Sequence, residues 1–395
     1  MRHRIGTERE ELFDVNMVIA MRVRIDGELV FGQLEKAFSK AVASYEILNS
    51  KIVIEENGDA FYVDNDDPQS SFSKTDLSFE ELINANEKVR FRLENGEYIR
   101  GFLSPDGVVL LMHHMGGDGR SLLFFIETFM SILDGKCPDR IPFANLPVEA
   151  LPEESRLPYL YGLFVRHWNR RWAKMRRVFF FEDMDKAYVD FWRTHKTRTV
   201  IDTYGKEQLD GMLRECREAG CSLTSYLSAL WIKDMTRKAD AGYAVDGRLD
   251  DRRTIGNFAT GIHINCRYDR NKSVMENAVK INSLMKRKLA DPKVKYSVLR
   301  LIGSLDPTLV DTLSLEAAGA YHTKATARFA DIMCYGKKKR DISITNLMRA
   351  DIRTDYGRFR IRDIAFVPPV VSYGTDLIGI ITVNDTLTIT RHVYE

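Results

Sequence analysis

An α+β fold in two domains is predicted by three features of the sequence. Stretches of alternating apolar and polar residues are mixed irregularly with stretches of helical spacing, and no strand–helix–strand unit repeats. The 395 residues exceed the size at which a single hydrophobic core stops growing. Prolines crowd between Pro138 and Pro158 (Pro138, Pro142, Pro147, Pro152, Pro158), which marks a boundary or crossover linker.

Asn16 to Ile25 alternates through Met17, Ile19, Met21, Val23 and Ile25 and predicts a strand. Leu34 to Tyr45 carries Leu34, Ala37, Phe38, Ala41 and Val42 at helical spacing. Asn57-Gly58 sits between the apolar runs 52–56 and 60–63 and predicts a hairpin. Ser104-Pro105-Asp106-Gly107 predicts a second one, between 98–103 and 108–113, with a helix from about 121 to 133 after it. In the second half, which begins near Thr197, 206–216 and 223–238 read as helices and 259–266 as a strand. Strands are expected at 342–346, 359–366, 379–383 and 386–390, with Asn384-Asp385 as the last hairpin turn. The divisions expected are 1–160, a basic and aromatic linker region 161–196, and 197–395.

Composition narrows the function classes. With 58 basic against 56 acidic residues, the formal net charge of +2 gives no reason to expect nucleic acid as a partner. The five cysteines are odd in number and lack zinc-ligand spacing, so a reducing compartment is the natural expectation. The charged first residues look unlike a signal peptide, and Leu122 to Leu133 is too short to span a bilayer. A cytoplasmic location is expected from these together. No G-x-G-x-x-G or Walker loop supports a nucleotide site.

One segment stands out as chemical. The apolar strand Val108 to Met112 ends in His113-His114, followed by Met115-Gly116-Gly117, then Asp118-Gly119 and a helix. A strand end is a rigid mount for a base. Adjacent strand residues point to opposite faces, so only one of the two histidines can face a cleft. Histidine suits base work because its ordinary pKa lies near neutrality. Asp118 either orients a histidine, braces the turn through an arginine, or caps the following helix.

His113-His114-x-x-x-Asp118-Gly119 resembles the HHxxxDG motif of the superfamily that includes chloramphenicol acetyltransferase, condensation domains of peptide synthetases and alcohol acetyltransferases. Ile255-Gly256-Asn257-Phe258 is similar to that family's second-half GN(F/Y) segment, and Ser343 to Leu347 to its S-x-T/S-N-L strand. The resemblance implies two chloramphenicol-acetyltransferase-like lobes, each a mixed sheet with flanking helices, around an active-site tunnel. It implies that His114 is the general base, while His113, Asp118 and Gly119 shape the loop. It further implies an arginine partner for Asp118 from the second half, for which Arg267 is the candidate. Thr345 and Asn346 are candidates to meet an oxyanion or the acceptor, or else they bond only to backbone.

The activity implied is transfer of an acyl group from a thioester, acyl-CoA or a carrier protein's phosphopantetheine arm, to an alcohol or amine. No cofactor or metal is expected to be resident. A docking module of the same fold without turnover is the competing class. Lys337, Lys338, Lys339 and Arg340 form the densest basic run, either a contact for CoA phosphates or a solvated loop. Trp168 and Trp172, four apart among arginines, are expected to pack inward rather than lie on a membrane.

Overall fold

The computed structural model describes residues 1–395 apart from Lys338 and Tyr373. In the first part of the chain β1 (Arg2–Arg4), β3 (Ser50–Ile54) and β4 (Ala60–Asp64) make a small antiparallel sheet, and β2 is Val18–Asp26. There follow β5 (Ser71–Lys74), β6 (Ile99–Ser104) and β7 (Gly107–His113), with helices α1 (Phe31–Ala43), α2 (Phe79–Asn86) and α3 (Gly119–Leu133). The linker region carries α4 (Tyr159–Trp172) and α5 (Phe181–Trp192). Beyond it lie β8 (Thr197–Tyr204), α6 (Lys206–Ala219), α7 (Leu223–Ile232), β9 (Ala239–Asp246) and β10 (Ala259–Cys266). Five helices come next: α8 (Val274–Leu289), α9 (Pro292–Lys295), α10 (Ser297–Ile302), α11 (Pro307–Ala317) and α12 (Lys324–Ile332). The chain closes with β11 (Ile342–Arg349), β12 (Asp355–Tyr356), β13 (Phe359–Val367), β14 (Asp376–Val383) and β15 (Thr386–Tyr394).

Two six-stranded mixed sheets organise these elements. The first runs β12-β13-β2-β7-β6-β5, so two strands from the end of the chain complete the sheet begun at its start. The second runs β10-β9-β11-β14-β15-β8. β7 lies inside its sheet between β2 and β6, and Val108 to Met112 are buried on both faces. That explains a continuous apolar run where a half-exposed strand would alternate. The sheets meet where β13 gives way to β14: Thr390 Oγ1 donates to the Phe366 carbonyl at 2.6 Å. Gly379 belongs there because a Cβ would stand 2.4 Å from that same carbonyl oxygen.

α4 packs inward through Val165, Trp168 and Trp172. Trp168 lies 4.9 Å from the Phe329 ring, and Trp172 Nε1 donates to Thr308 Oγ1 at 2.7 Å. The tryptophans therefore take the packing role expected of them, with Arg166, Arg170 and Arg171 outside. The expected helix 223–238 stops at Ile232, and from Ala239 the chain is β9, seated between β10 and β11. Among the described residues no helix is long and apolar enough to cross a membrane.

Candidate active site

β7 delivers the two histidines. His113 is the last residue paired with β2, opposite Val18, and its ring turns into the first lobe. It is buried beside Phe91 and its Nδ1 accepts from the Met115 amide at 3.1 Å. Burial first, then repulsion from His114 where that ring is also protonated and from Arg90 and Arg100, push it down to about 3, so it is a neutral structural ring. The turn beyond is tight: Gly116 N donates to His113 O at 2.8 Å, and Gly117 N to His114 O at 3.1 Å. A Cβ on Gly117 would stand 2.6 Å from that of Ser121, which excludes larger residues.

His114 faces the other way and retains 13% side-chain exposure. Its amide donates to Met17 O at 2.8 Å, which fixes the backbone. Its Nδ1 lies 3.8 Å from Glu11 Oε1 and has no hydrogen-bond partner among the described residues. Asn257, from the second half, donates its Nδ2 to the other Glu11 oxygen and its Oδ1 accepts from the Ala259 amide at 3.1 Å. Burial lowers the His114 pKa to about 4, against the opposing pull of Asp118 and Asn257. The ring is neutral at pH 7 and has an acceptor nitrogen to offer. Burial and then the negative neighbours Glu10, Glu8 and Asp118 hold the Glu11 carboxyl well above its usual range.

Asp118 combines two of the roles open to it. It is the N-cap of α3, accepting from the Ser121 amide at 2.8 Å. It also accepts from Arg248 at 2.9 and 3.1 Å and from the Phe258 amide at 3.0 Å. Burial disfavours its charge, yet Arg248 and these donors hold its carboxyl below the ordinary value. Ser121, fully buried, closes the junction: its hydroxyl donates to Gly256 O at 2.8 Å and accepts from Arg248 at 2.8 Å. Gly119, the first residue of α3, leaves room for Leu347 of β11, whose Cδ2 would stand 2.9 Å from an added Cβ.

The partner of Asp118 is thus Arg248, and the expectation of Arg267 is corrected. β9 and β10 are antiparallel, and the Gly247 amide donates to Phe258 O at 2.8 Å. This brings Arg248 to the end of the hairpin where Phe258 and Asp118 meet. Arg267 follows the far end of β10 and donates to Thr236 O at 3.4 Å on the surface. Glu11 and Ser121 carry no spacing signal in the sequence, because each reaches the site through tertiary packing alone.

Thr345 and Asn346 lie on β11 and line an inter-lobe cleft of about 380 Å³ together with Asp118, Gly119 and Arg248. His114 is not among the residues lining this cleft; the cleft reaches the motif only at Asp118 and Gly119. Asn346 is committed to protein, its Nδ2 donating to Thr224 Oγ1 at 2.7 Å and its Oδ1 accepting from Met348 N at 2.7 Å. Lys337 is exposed, and Lys338 lies outside the described residues. Lys339 stands 5.9 Å from the Tyr394 ring, and Arg340 faces Asp240 at 3.8 Å.

The two buried histidines have a consequence for acid stability. Their folded pKa values, about 3 and about 4, lie below the ordinary 6.5, so the unfolded chain binds more protons as pH falls. Their contribution is complete above pH 6.5 and is lost progressively as pH drops toward 4 for His114 and 3 for His113. Glu10, raised to about 7 mainly by burial, acts in the opposite sense between its usual value and 7. In urea titrations between pH 6.5 and 4.5, His113→Phe is expected to flatten the acid decline relative to wild type. An unchanged slope would contradict the neutral state of His113.

No family model and no curated protein matches the sequence. Solved structures match nearly the whole chain. The polyketide synthase associated protein 5 from Mycobacterium tuberculosis matches at 14% identity and TM-score 0.62, covering 99% of this chain and 92% of that one. The first condensation domain of the CDA synthetase has the same identity, coverage and score. The TRI3 trichothecene 15-O-acetyltransferase from Fusarium sporotrichioides matches at 10% identity and TM-score 0.65, over 99% and 90% of the two chains. The fold of this chain is therefore that of the two-lobed condensation domains and acetyltransferases.

Proposed function

We propose that the chain is an acyltransferase that moves an acyl group from a thioester to an alcohol or amine, with His114 as general base. The observation that carries this reading is a partly exposed imidazole in a loop braced from the other half of the chain by Arg248, beside a Glu11 carboxyl held by Asn257. The ring nitrogen away from Glu11 takes the acceptor's proton as the acceptor oxygen or nitrogen attacks the thioester carbonyl. The tetrahedral oxyanion collapses, the carbon–sulfur bond breaks, and the thiolate leaves with the proton returned by the imidazolium. One group thus serves as base and then acid, and no metal takes part in this scheme.

Glu11 is proposed as a positioning residue. A carboxyl oxygen 3.8 Å from Nδ1 is one small side-chain movement from accepting its hydrogen, which would leave the other nitrogen as the acceptor. Glu11→Gln is expected to lower kcat by about tenfold with KM little changed, and to alter the acid limb of the pH–rate profile. A purely structural role would leave that profile in place.

Acyl-CoA and a carrier protein's pantetheine arm present the same thioester. Measuring free thiol released from acyl-CoAs and from acyl-pantetheine carriers, with and without alcohols or amines, tests the proposal and identifies the donor. Release that depends on the acceptor is expected. Absence of any acceptor-dependent release with either donor class would favour a docking module of the same fold.

A further inference from the structure

The inter-lobe cleft has a wall chemistry that selects its occupant. Its apolar side is built by Leu123 of α3, Val245 of β9, Ile262 of β10, Met285 of α8, and Ile344 and Leu347 of β11. Its charged side chains, apart from the exposed Arg349, are paired with charged partners of the protein. Arg248 is held by Asp118 and Asp246, at 2.9 and 3.1 Å, and lies over the Phe258 ring at 4.4 Å. Arg120 is paired with Asp246 at 2.5 Å, Arg349 donates to the Asn384 carbonyl, and Asp351 at the rim faces Arg253 at 3.6 Å. Tyr243 donates its hydroxyl to Ser228 at 3.1 Å. The Thr345 hydroxyl, by contrast, has no hydrogen-bond partner among the described residues.

A charged ligand group entering the apolar part of this space would lose water and meet only charges already held in pairs, since the one guanidinium without a carboxylate partner among the described residues, Arg349, is exposed. An uncharged chain loses nothing by entry and gains by burial. The volume, about 380 Å³, lies within the range of small-ligand sites.

We infer that the cleft binds an uncharged aliphatic chain, with the Thr345 hydroxyl as its hydrogen-bonding contact. This rests on the transferase reading for its meaning, since the chain would belong either to the acyl group or to the acceptor. Its existence as a binding site does not depend on turnover.

Calorimetry with the purified full chain tests it, using 1-hexanol, 1-octanol and 1-decanol as acceptor-side probes and the non-hydrolysable thioether decyl-CoA as the donor-side probe. Affinity is expected to rise about fourfold per added methylene, the equivalent of about 0.8 kcal/mol. Decanoate is expected to bind more weakly than decanol. Tighter alkanols identify the acceptor as the owner of the chain; a tighter decyl-CoA identifies the donor. Val245→Asp and Val245→Trp are each expected to weaken the preferred probe at least tenfold, with one retaining wild-type melting. Thr345→Val is expected to weaken it by about fivefold. Affinity independent of chain length, decanoate equal to decanol, or full binding by a folded Val245→Trp would overturn the inference. His114→Ala separates the two readings. Retained decanol binding without turnover supports both, while turnover in wild type without any chain-length dependence defeats the cleft proposal alone.

Discussion

Replacing Asp118 by alanine is expected to destabilise the chain by about 3 kcal/mol, because it removes the more buried of the two carboxylates that hold a buried guanidinium and leaves Asp246 alone to compensate it. Arg248 has 6% side-chain exposure and Asp118 7%, so water cannot replace the lost partner without opening the junction. The same substitution removes the cap of α3 and leaves the Phe258 amide without its acceptor. Equilibrium urea unfolding measures the loss. Asp118→Ala combined with Arg248→Met is expected to recover part of it, since no charge is then left unpaired. The sign with pH follows from the depressed pKa: the Asp118 contribution is present above its ordinary value of 3.8 and is lost as pH falls through the folded one. Unchanged stability of Asp118→Ala at pH 7 would mean that the two halves are not joined through this carboxylate.

His114→Ala is expected to lower acyl transfer by about 10²–10⁴-fold, the usual contribution of a positioned base. Folding should survive, because the ring makes no hydrogen bond of its own through Nδ1 and its backbone amide bond to Met17 is kept. The burial that lowers its pKa to about 4 sets the pH dependence. Transfer should hold level down through pH 6 and fall only in more acid solution, where the ring gains a proton before substrate arrives. An acid limb centred near 6.5 would indicate an ordinary solvated histidine.

Much of the first lobe was legible because its signals are local. β7 and its hairpin partner β6 follow from an apolar run and a Pro-Asp-Gly turn, and α3 is the helix expected after that hairpin. His113 and His114 could be told apart in principle by strand alternation, and their rings do face opposite ways. The second half was less legible. β9 reads Ala-Asp-Ala-Gly-Tyr-Ala-Val-Asp, a weak strand former that β10 and β11 pair into place. Helix α5 and the five helices α8 to α12 carry no expectation from the sequence pattern, although α8 begins with a Ser273–Glu276 capping box. At the site, Asp118 was visible from its motif but its partner was not. Arg248 is selected by the β9–β10 hairpin, and nothing in its sequence neighbourhood distinguishes it from Arg252, Arg253 or Arg267. Glu11 is separated from His114 by a hundred residues of chain and meets it only through packing.

The most direct measurement is the product itself: acyl-acceptor formed at pH 7 from a panel of acyl thioesters with alcohols and amines, read by mass spectrometry for wild type and for folded His114→Ala. Product that depends on the acceptor is expected from wild type, and nearly none from the variant. Equal product from both proteins would remove His114 from the reaction and, with it, the proposed chemistry of this site.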